Sequence, residues 1–181
     1  LQIVIAWFYS HVLEYFLHKN LLHNSKVGPA FRHHFKHHHL AARRNAMIDK
    51  KYLKSRWYQW LWDDETVGLS LLAIIHLPLV WFFPYAYAVL ILSAVHYFTV
   101  HRMAHKDYHW ARKNLPQHYD HHMGLNQGEN WGVRRDWVDR IFKTRTMYKG
   151  TKREILGYKK VCSAEKRGAR VRSYRNSRSK H

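Results

Sequence analysis

Ten of the chain's 17 histidines fall into four short clusters, and any fold it adopts has to account for their spacing. They are His18 and His23 in EYFLHKNLLH, His34, His37 and His38 in RHHFKHHH, His101 and His105 in HRMAH, and His118, His121 and His122 in QHYDHH. On an α-helix, positions i, i+3 and i+4 share a face, so each His-x-x-His-His aims three imidazoles at one point. His101 and His105, four apart, aim two. Imidazole is the commonest protein ligand for transition metals, and ten imidazoles exceed the coordination sphere of one ion. The spacing therefore predicts a two-metal site. His18 and His23 fit least well: five residues apart, they diverge by roughly 140° on an ideal helix. They can share a site only near a helix end or bulge, and Asn20 and Asn24 suggest such an end.

The formal net charge is +19, which invites a nucleic-acid reading, but its distribution argues against that as the primary role. Residues 66–100 contain no Asp, Glu, Lys or Arg. That window is nearly twice the ~20 residues a helix needs to cross a bilayer. Pro84 splits it into two apolar arms, Val67–Phe83 and Tyr85–Val100, and a second apolar run covers Leu1–Leu17. The alternative is a buried core hairpin in a soluble protein. All 31 Lys and Arg lie in residues 19–65 or 101–181, so the positive-inside rule predicts three crossings with all four clusters on the cytoplasmic side. The expected fold class is accordingly all-α: an integral, multi-pass membrane protein with a cytoplasmic histidine-rich helical cap holding the dimetal site.

Residues 1–143 read as one membrane-embedded domain that carries all four clusters, with an N-terminus that looks incomplete, and residues 144–181 as a basic, flexible cytoplasmic tail. From Lys143 onward the chain carries 14 Lys and Arg against Glu154 and Glu165, a composition attracted to anionic lipid headgroups. Residues 43–62 mix basic residues with Tyr52, Trp57, Tyr58, Trp60 and Trp62, which suits either a helix in the headgroup layer or an amphipathic helix packed on protein. The single cysteine, Cys162, excludes an internal disulfide framework and a cysteine-based zinc site.

Taken in order, with apolar segments between them, the clusters resemble those of the fatty acid hydroxylase / sterol desaturase superfamily of di-iron oxygenases. The segment NWGVRRDWVDRIFKT resembles that family's closing motif, with Asn130, Gly132, Asp139 and Thr144 in matching places. The likeness covers about residues 10–145. It implies a pair of iron ions, for which zinc can substitute in purified protein, held by the ten clustered histidines. It also implies oxygen-dependent hydroxylation or desaturation of a lipid C–H bond, on a fatty acyl or sterol-like substrate. No segment resembles a fused electron carrier, so electrons would come from a separate cytochrome or ferredoxin-type protein. Residency would be the endoplasmic reticulum in a eukaryote or the inner membrane in a bacterium.

Glu14, one turn before His18, and Asp120, inside the fourth cluster, are candidates to orient imidazoles. Asp120 reads equally as a solvated charge. The resemblance places Asn130 near the site. The additional His33 and His39 allow a shifted register in the second cluster, such as His33 with His37. His34/His37/His38 is preferred because it repeats the spacing of the fourth cluster. His11 and His76 read as satisfied core histidines, and His96 and His109 as packing or surface residues. A competing function is a non-catalytic, basic, membrane-associated protein that binds metal or anions.

Overall fold

The computed structural model describes residues 1–54 and 61–157, and among these the regular structure is entirely helical. The long elements are α1 (Gln2–Leu17), α5 (Asp64–Ile75) and α7 (Pro84–Ala104). Shorter ones are α2 (Pro29–Phe31), α3 (Leu40–Arg44), α4 (Lys50–Lys54), α6 (Leu79–Phe82), α8 (Tyr108–Asn114), α9 (Pro116–Met123) and α10 (Trp137–Ile141). Two π-helical stretches interrupt them, His18–Leu22 at the end of α1 and Arg32–His39 between α2 and α3.

Local chemistry sets the boundaries. Asp63 and Asp107 cap α5 and α8 by accepting from the backbone N–H groups of Thr66 and Trp110. Pro29, Pro84 and Pro116 each stand in the first turn of a helix, where a missing N–H costs nothing. α1 lies along α7, α5 and α6 fold back on α7, and α7 runs on through α8 to α9. The C-terminal ends of α1 and α7 thus meet the α2–α3 rod and α9. Small apolar clusters flank the junction: Met47, Ala104, Ala111, Leu115, Tyr119 and Val133 on one side, and Tyr15, Trp131 and Val138 on the other. At the junction itself, where a hydrophobic core would be expected, the fully buried side chains are imidazoles.

The expected membrane-spanning architecture is overturned. No helix among the described residues is long and apolar enough to cross a membrane. The uncharged window is cut twice rather than once. Pro78 disfavours helical backbone at Leu77, so α5 ends at Ile75 after 12 residues, about 18 Å of helix against a ~30 Å hydrocarbon core. Only the single turn α6 separates it from Pro84. α1 has 16 residues, about 24 Å. α7 has sufficient length, but tyrosines, Ser93, His96, Thr99, His101 and Arg102 dilute its apolar content. The three crossings fall, and with them the integral multi-pass localisation and the cytoplasmic side assigned to the site. Many apolar side chains of these helices are nonetheless exposed, Ile3, Val4, Leu71, Ile74, Leu92 and Val95 among them.

Residues 144–157, assigned above to the tail, are bonded into the body. Arg145 donates to Asp120, Asp136 and Asn130, and the buried Glu154 accepts from Arg112. Residues 158–181 lie outside the described residues, and so do Trp57, Tyr58 and Trp60 of the aromatic segment. Tyr52 of that segment is buried against His38, His101 and His105.

Candidate metal centre

The histidines gather into two adjoining groups, each of which could hold a metal ion. His18, His23, His34, His39 and His121 offer ring nitrogens that all lie within 4.8 Å of one another, and so do His38, His101, His105 and His122. His118 joins the second group, with its Nε2 3.0 Å from that of His105. The groups interlock because consecutive residues feed opposite sides: His38 and His39 diverge to the second and first groups, as do His122 and His121.

Of the ten histidines chosen from the sequence, nine come together and His37 does not. His37 is exposed, with its ring 5.9 Å from that of His33, and the buried His39 takes the place foreseen for it. The π-helix explains both this shift and the pairing of His18 with His23. Its i→i+5 bonding stacks a residue over the one five positions earlier, rather than over those three and four earlier. The N–H of His23 donates to the carbonyl of His18 at 3.2 Å, which turns the expected 140° divergence into one shared face. Over Arg32–His39 the same widening carries His39 over His34 and rotates His37 outward. α9 remains a regular α-helix, so His118 and His122, four apart, share a side and His121 faces the other group.

Outward bonds fix the rings. Nδ1–H donates to the carbonyl of Trp131 from His18 (2.7 Å), of Met47 from His105 (2.8 Å) and of Glu129 from His121 (2.6 Å). It donates to carboxylates from His38 to Asp49 (2.9 Å) and from His101 to Glu65 (2.7 Å). With Nδ1 turned outward in these five rings, Nε2 of each faces inward. In the first group, Nε2 atoms stand 2.9 Å apart between His18 and His34, 3.1 Å between His23 and His39, and 3.2 Å between His121 and both His23 and His39. In the second, buried ring nitrogens of His38 (Nε2), His101 (Nε2), His118 (Nδ1) and His122 (both) have no hydrogen-bond partner among the described residues. Buried polar atoms without partners each cost about 1–3 kcal/mol. A cation between converging lone pairs removes that cost. Adjacent donors on a five- or six-coordinate ion with ~2.1 Å bonds sit about 3 Å apart, so the spacing in the first group fits one.

Burial sets the protonation of the groups. It pushes His18, His34, His39, His105, His118 and His122 far below the usual imidazole pKa, with neighbouring imidazoles adding to the effect in each case. Burial lowers His23 to about 3 and His121 to about 4. It also lowers His38, against the opposing effect of its hydrogen bond to Asp49. These are neutral donors at neutral pH, the form that binds metal.

The three orienting candidates act at one remove. Glu14 does not touch an imidazole: it accepts from the backbone N–H groups of Val133 (2.6 Å) and Arg134 (3.0 Å) and pairs with the Arg134 guanidinium. It thereby steadies the strand of chain whose Trp131 carbonyl holds His18. Asp120 is buried and points away from the rings, accepting from the N–H groups of Tyr148 and Lys149 and from Arg145. Asn130, at φ 61°, accepts from Arg145 and from the N–H of Thr146. The NWGVRRDWVDRIFKT segment belongs to the same support: Asp139 accepts from the N–H groups of Trp131 and Gly132 and from the Thr144 hydroxyl. A Cβ on Gly132 would stand 2.1 Å from the Arg135 carbonyl oxygen, so no larger residue fits there.

The carboxylates that do hold imidazoles, Asp49 and Glu65, were missed from the sequence. So was the turn after α3, where Ala46 (φ 50°) and Met47 (φ 76°) adopt left-handed backbone and aim the Met47 carbonyl at His105. His11 and His76 stay outside both groups, with Nδ1–H donating to the carbonyls of Trp7 and Leu72. Replacing Glu14 with Ala is expected to destabilise the fold by about 3–5 kcal/mol, because it leaves the buried Arg134 charge uncompensated. Urea unfolding measures this, and a loss below about 1 kcal/mol would contradict the role given to the pair.

The chain matches no family model, and neither a curated protein nor a solved structure is significantly similar to it.

Proposed function

We propose that this chain is an oxygen-dependent dimetal oxidoreductase that hydroxylates or desaturates a C–H bond of a lipid substrate, with iron at both positions. The observation that carries the reading is the pair of interlocked five-imidazole groups with converging ring nitrogens. The likeness of the clusters and of the Asn130–Thr144 segment to fatty acid hydroxylases and sterol desaturases supports the choice of iron and of substrate class.

A pair of ferrous ions there would supply dioxygen activation and removal of hydrogen from an unactivated C–H bond. The first ion would be held by His18, His23, His34, His39 and His121, and the second by His38, His101, His105, His118 and His122. An all-imidazole donor set is neutral, so it would leave the ions' positive charge uncompensated. The outward Nδ1 bonds keep the rings from rotating. Burial of nearly every ring keeps bulk water from the metal edge of the site. A groove of about 480 Å³ between α1 and α7 sets the apolar side chains of Ile3, Val4, Trp7, Val89 and Leu92 beside Ser93, His96 and Arg134, and its apolar part suits a hydrocarbon chain. Electrons would come from a separate carrier, and the net charge of +19 favours an acidic one.

Anaerobic loading with ferrous iron is expected to give two ions per chain. Reductant-dependent oxygen uptake should then appear only with the right lipid, whose product mass spectrometry reads as a gain of one oxygen or a loss of two hydrogens. Two bound ions with no uptake across fatty acyl, sterol and carotenoid substrates would favour the non-catalytic metal-binding alternative.

A further inference from the structure

The two groups lean on different chemistry. In the second, the rings of His38 and His101 donate to the carboxylates of Asp49 and Glu65, whose side chains are 9% and 10% exposed. In the first, His18 and His121 donate to backbone carbonyls, and the side-chain amide of Gln127 lies 2.9 Å from Nδ1 of His39. Among the described residues, no carboxylate pairs with an imidazole of the first group.

Both carboxylates are themselves pinned. The N–H of Lys51 donates to one oxygen of Asp49 at 3.0 Å, and Arg102 Nε donates to Oε2 of Glu65 at 3.2 Å. Each leaves its other oxygen for a ring. A carboxylate draws the Nδ1 proton toward itself more strongly than a carbonyl does, which makes the opposite nitrogen a better electron donor. Two such rings act on the second position and none on the first.

We infer that the two metal positions are inequivalent and fill in order. The position backed by Asp49 and Glu65 binds tightly and first, and the carbonyl-backed position binds second and more weakly. Asp49 and Glu65 are positioning residues for it. This rests on the dimetal reading above.

The test is an anaerobic titration of the metal-free full chain with cobalt(II), whose visible absorption reports imidazole coordination. Wild-type protein is expected to take up two ions in steps at least tenfold apart in affinity. Glu65→Gln and Asp49→Asn keep side-chain size, and each should weaken the first step by 10–100-fold while changing the second by less than threefold. His23→Ala should abolish the second step and spare the first; it decides the order even if an amide variant folds poorly. Asp63→Asn removes a partner of Arg102 without touching a ring, and it retains the cap of α5. It should shift the first step by less than threefold.

The inference is overturned if the amide variants weaken both steps alike, if His23→Ala removes the tight step, or if Asp63→Asn matches Glu65→Gln. In each of those cases the wild type still binds two ions and the dimetal reading stands. Uptake of fewer than two ions by the wild type overturns both.

Discussion

His39→Ala is expected to cost the chain one of its two ions and to bring turnover down to background, whereas His37→Ala should change neither by as much as twofold. His39 is 1% exposed, and its Nε2 lies 3.1 Å from His23, 3.2 Å from His34 and 3.2 Å from His121. Its Nε2 thus faces three members of its group, and its ring stands beside His122 of the second, with ring centroids 4.1 Å apart. Removing it takes away one of five donors and opens a void where water enters the site. Loss of a mere orienting partner costs a metal site 10–100-fold in affinity, so loss of a central donor should cost at least about 100-fold. His37 is exposed and, among the described residues, its ring meets only His33, so its replacement falls in the class of surface changes worth less than about 0.5 kcal/mol. Metal analysis after gel filtration, with circular dichroism to confirm folding, separates the two variants. Metal loss in His37→Ala with retention in His39→Ala would mean that the second cluster uses α-helical register after all.

That contrast marks where the sequence stops being legible. The four clusters announce a histidine centre because i, i+3, i+4 spacing is a local property, and α9 obeys it. Membership within the second cluster was misread because nothing in RHHFKHHH says that the helix widens there. The unfavourable five-residue gap between His18 and His23 was the one available hint, and the same gap separates His34 from His39. The all-helical class follows from the long uncharged apolar segments and the histidine spacing, but the helix lengths do not. Pro78 was overlooked beside Pro84, and the apolar window was taken as two spans when it forms a 12-residue helix, a single turn and α7. The orienting groups were hidden for another reason. Glu65 lies 36 residues from His101 in sequence, and the carbonyls of Met47, Glu129 and Trp131 are backbone atoms that no residue type betrays. Glu14 and Asp120 stood out as carboxylates near clusters, yet sequence proximity to a histidine did not bring either onto a ring.

Stripping the metal is expected to expose how much of this fold the ions hold. Each ion present at 1,000 times its dissociation constant adds about 4 kcal/mol to the folded state, so two add about 8 kcal/mol. At roughly 2–4 °C per kcal/mol for a chain of this size, removal by a chelator should lower Tm by about 15–30 °C. The metal-free protein should also be acid-sensitive, in a direction that burial dictates. His23 and His121 titrate near 3 and 4 in the folded chain, and His18, His34, His39, His105, His118 and His122 also lie well below the ordinary 6.5. In the unfolded chain all of them take up protons near 6.5. Between those values the unfolded state binds more protons than the folded one, so stability rises with pH there. The contribution is fully present above about 6.5 and is lost as pH falls through 6.5 toward the folded values, at up to about 1.4 kcal/mol per pH unit for each ring involved. Thermal melts of chelated protein from pH 4.5 to 8 should therefore climb steeply to about pH 7 and then level. A flat profile, or one that falls over that range, would mean that the imidazoles are solvated rather than packed as two buried groups. Adding metal back at pH 7 should restore the higher Tm, since the folded chain presents neutral rings to the ion.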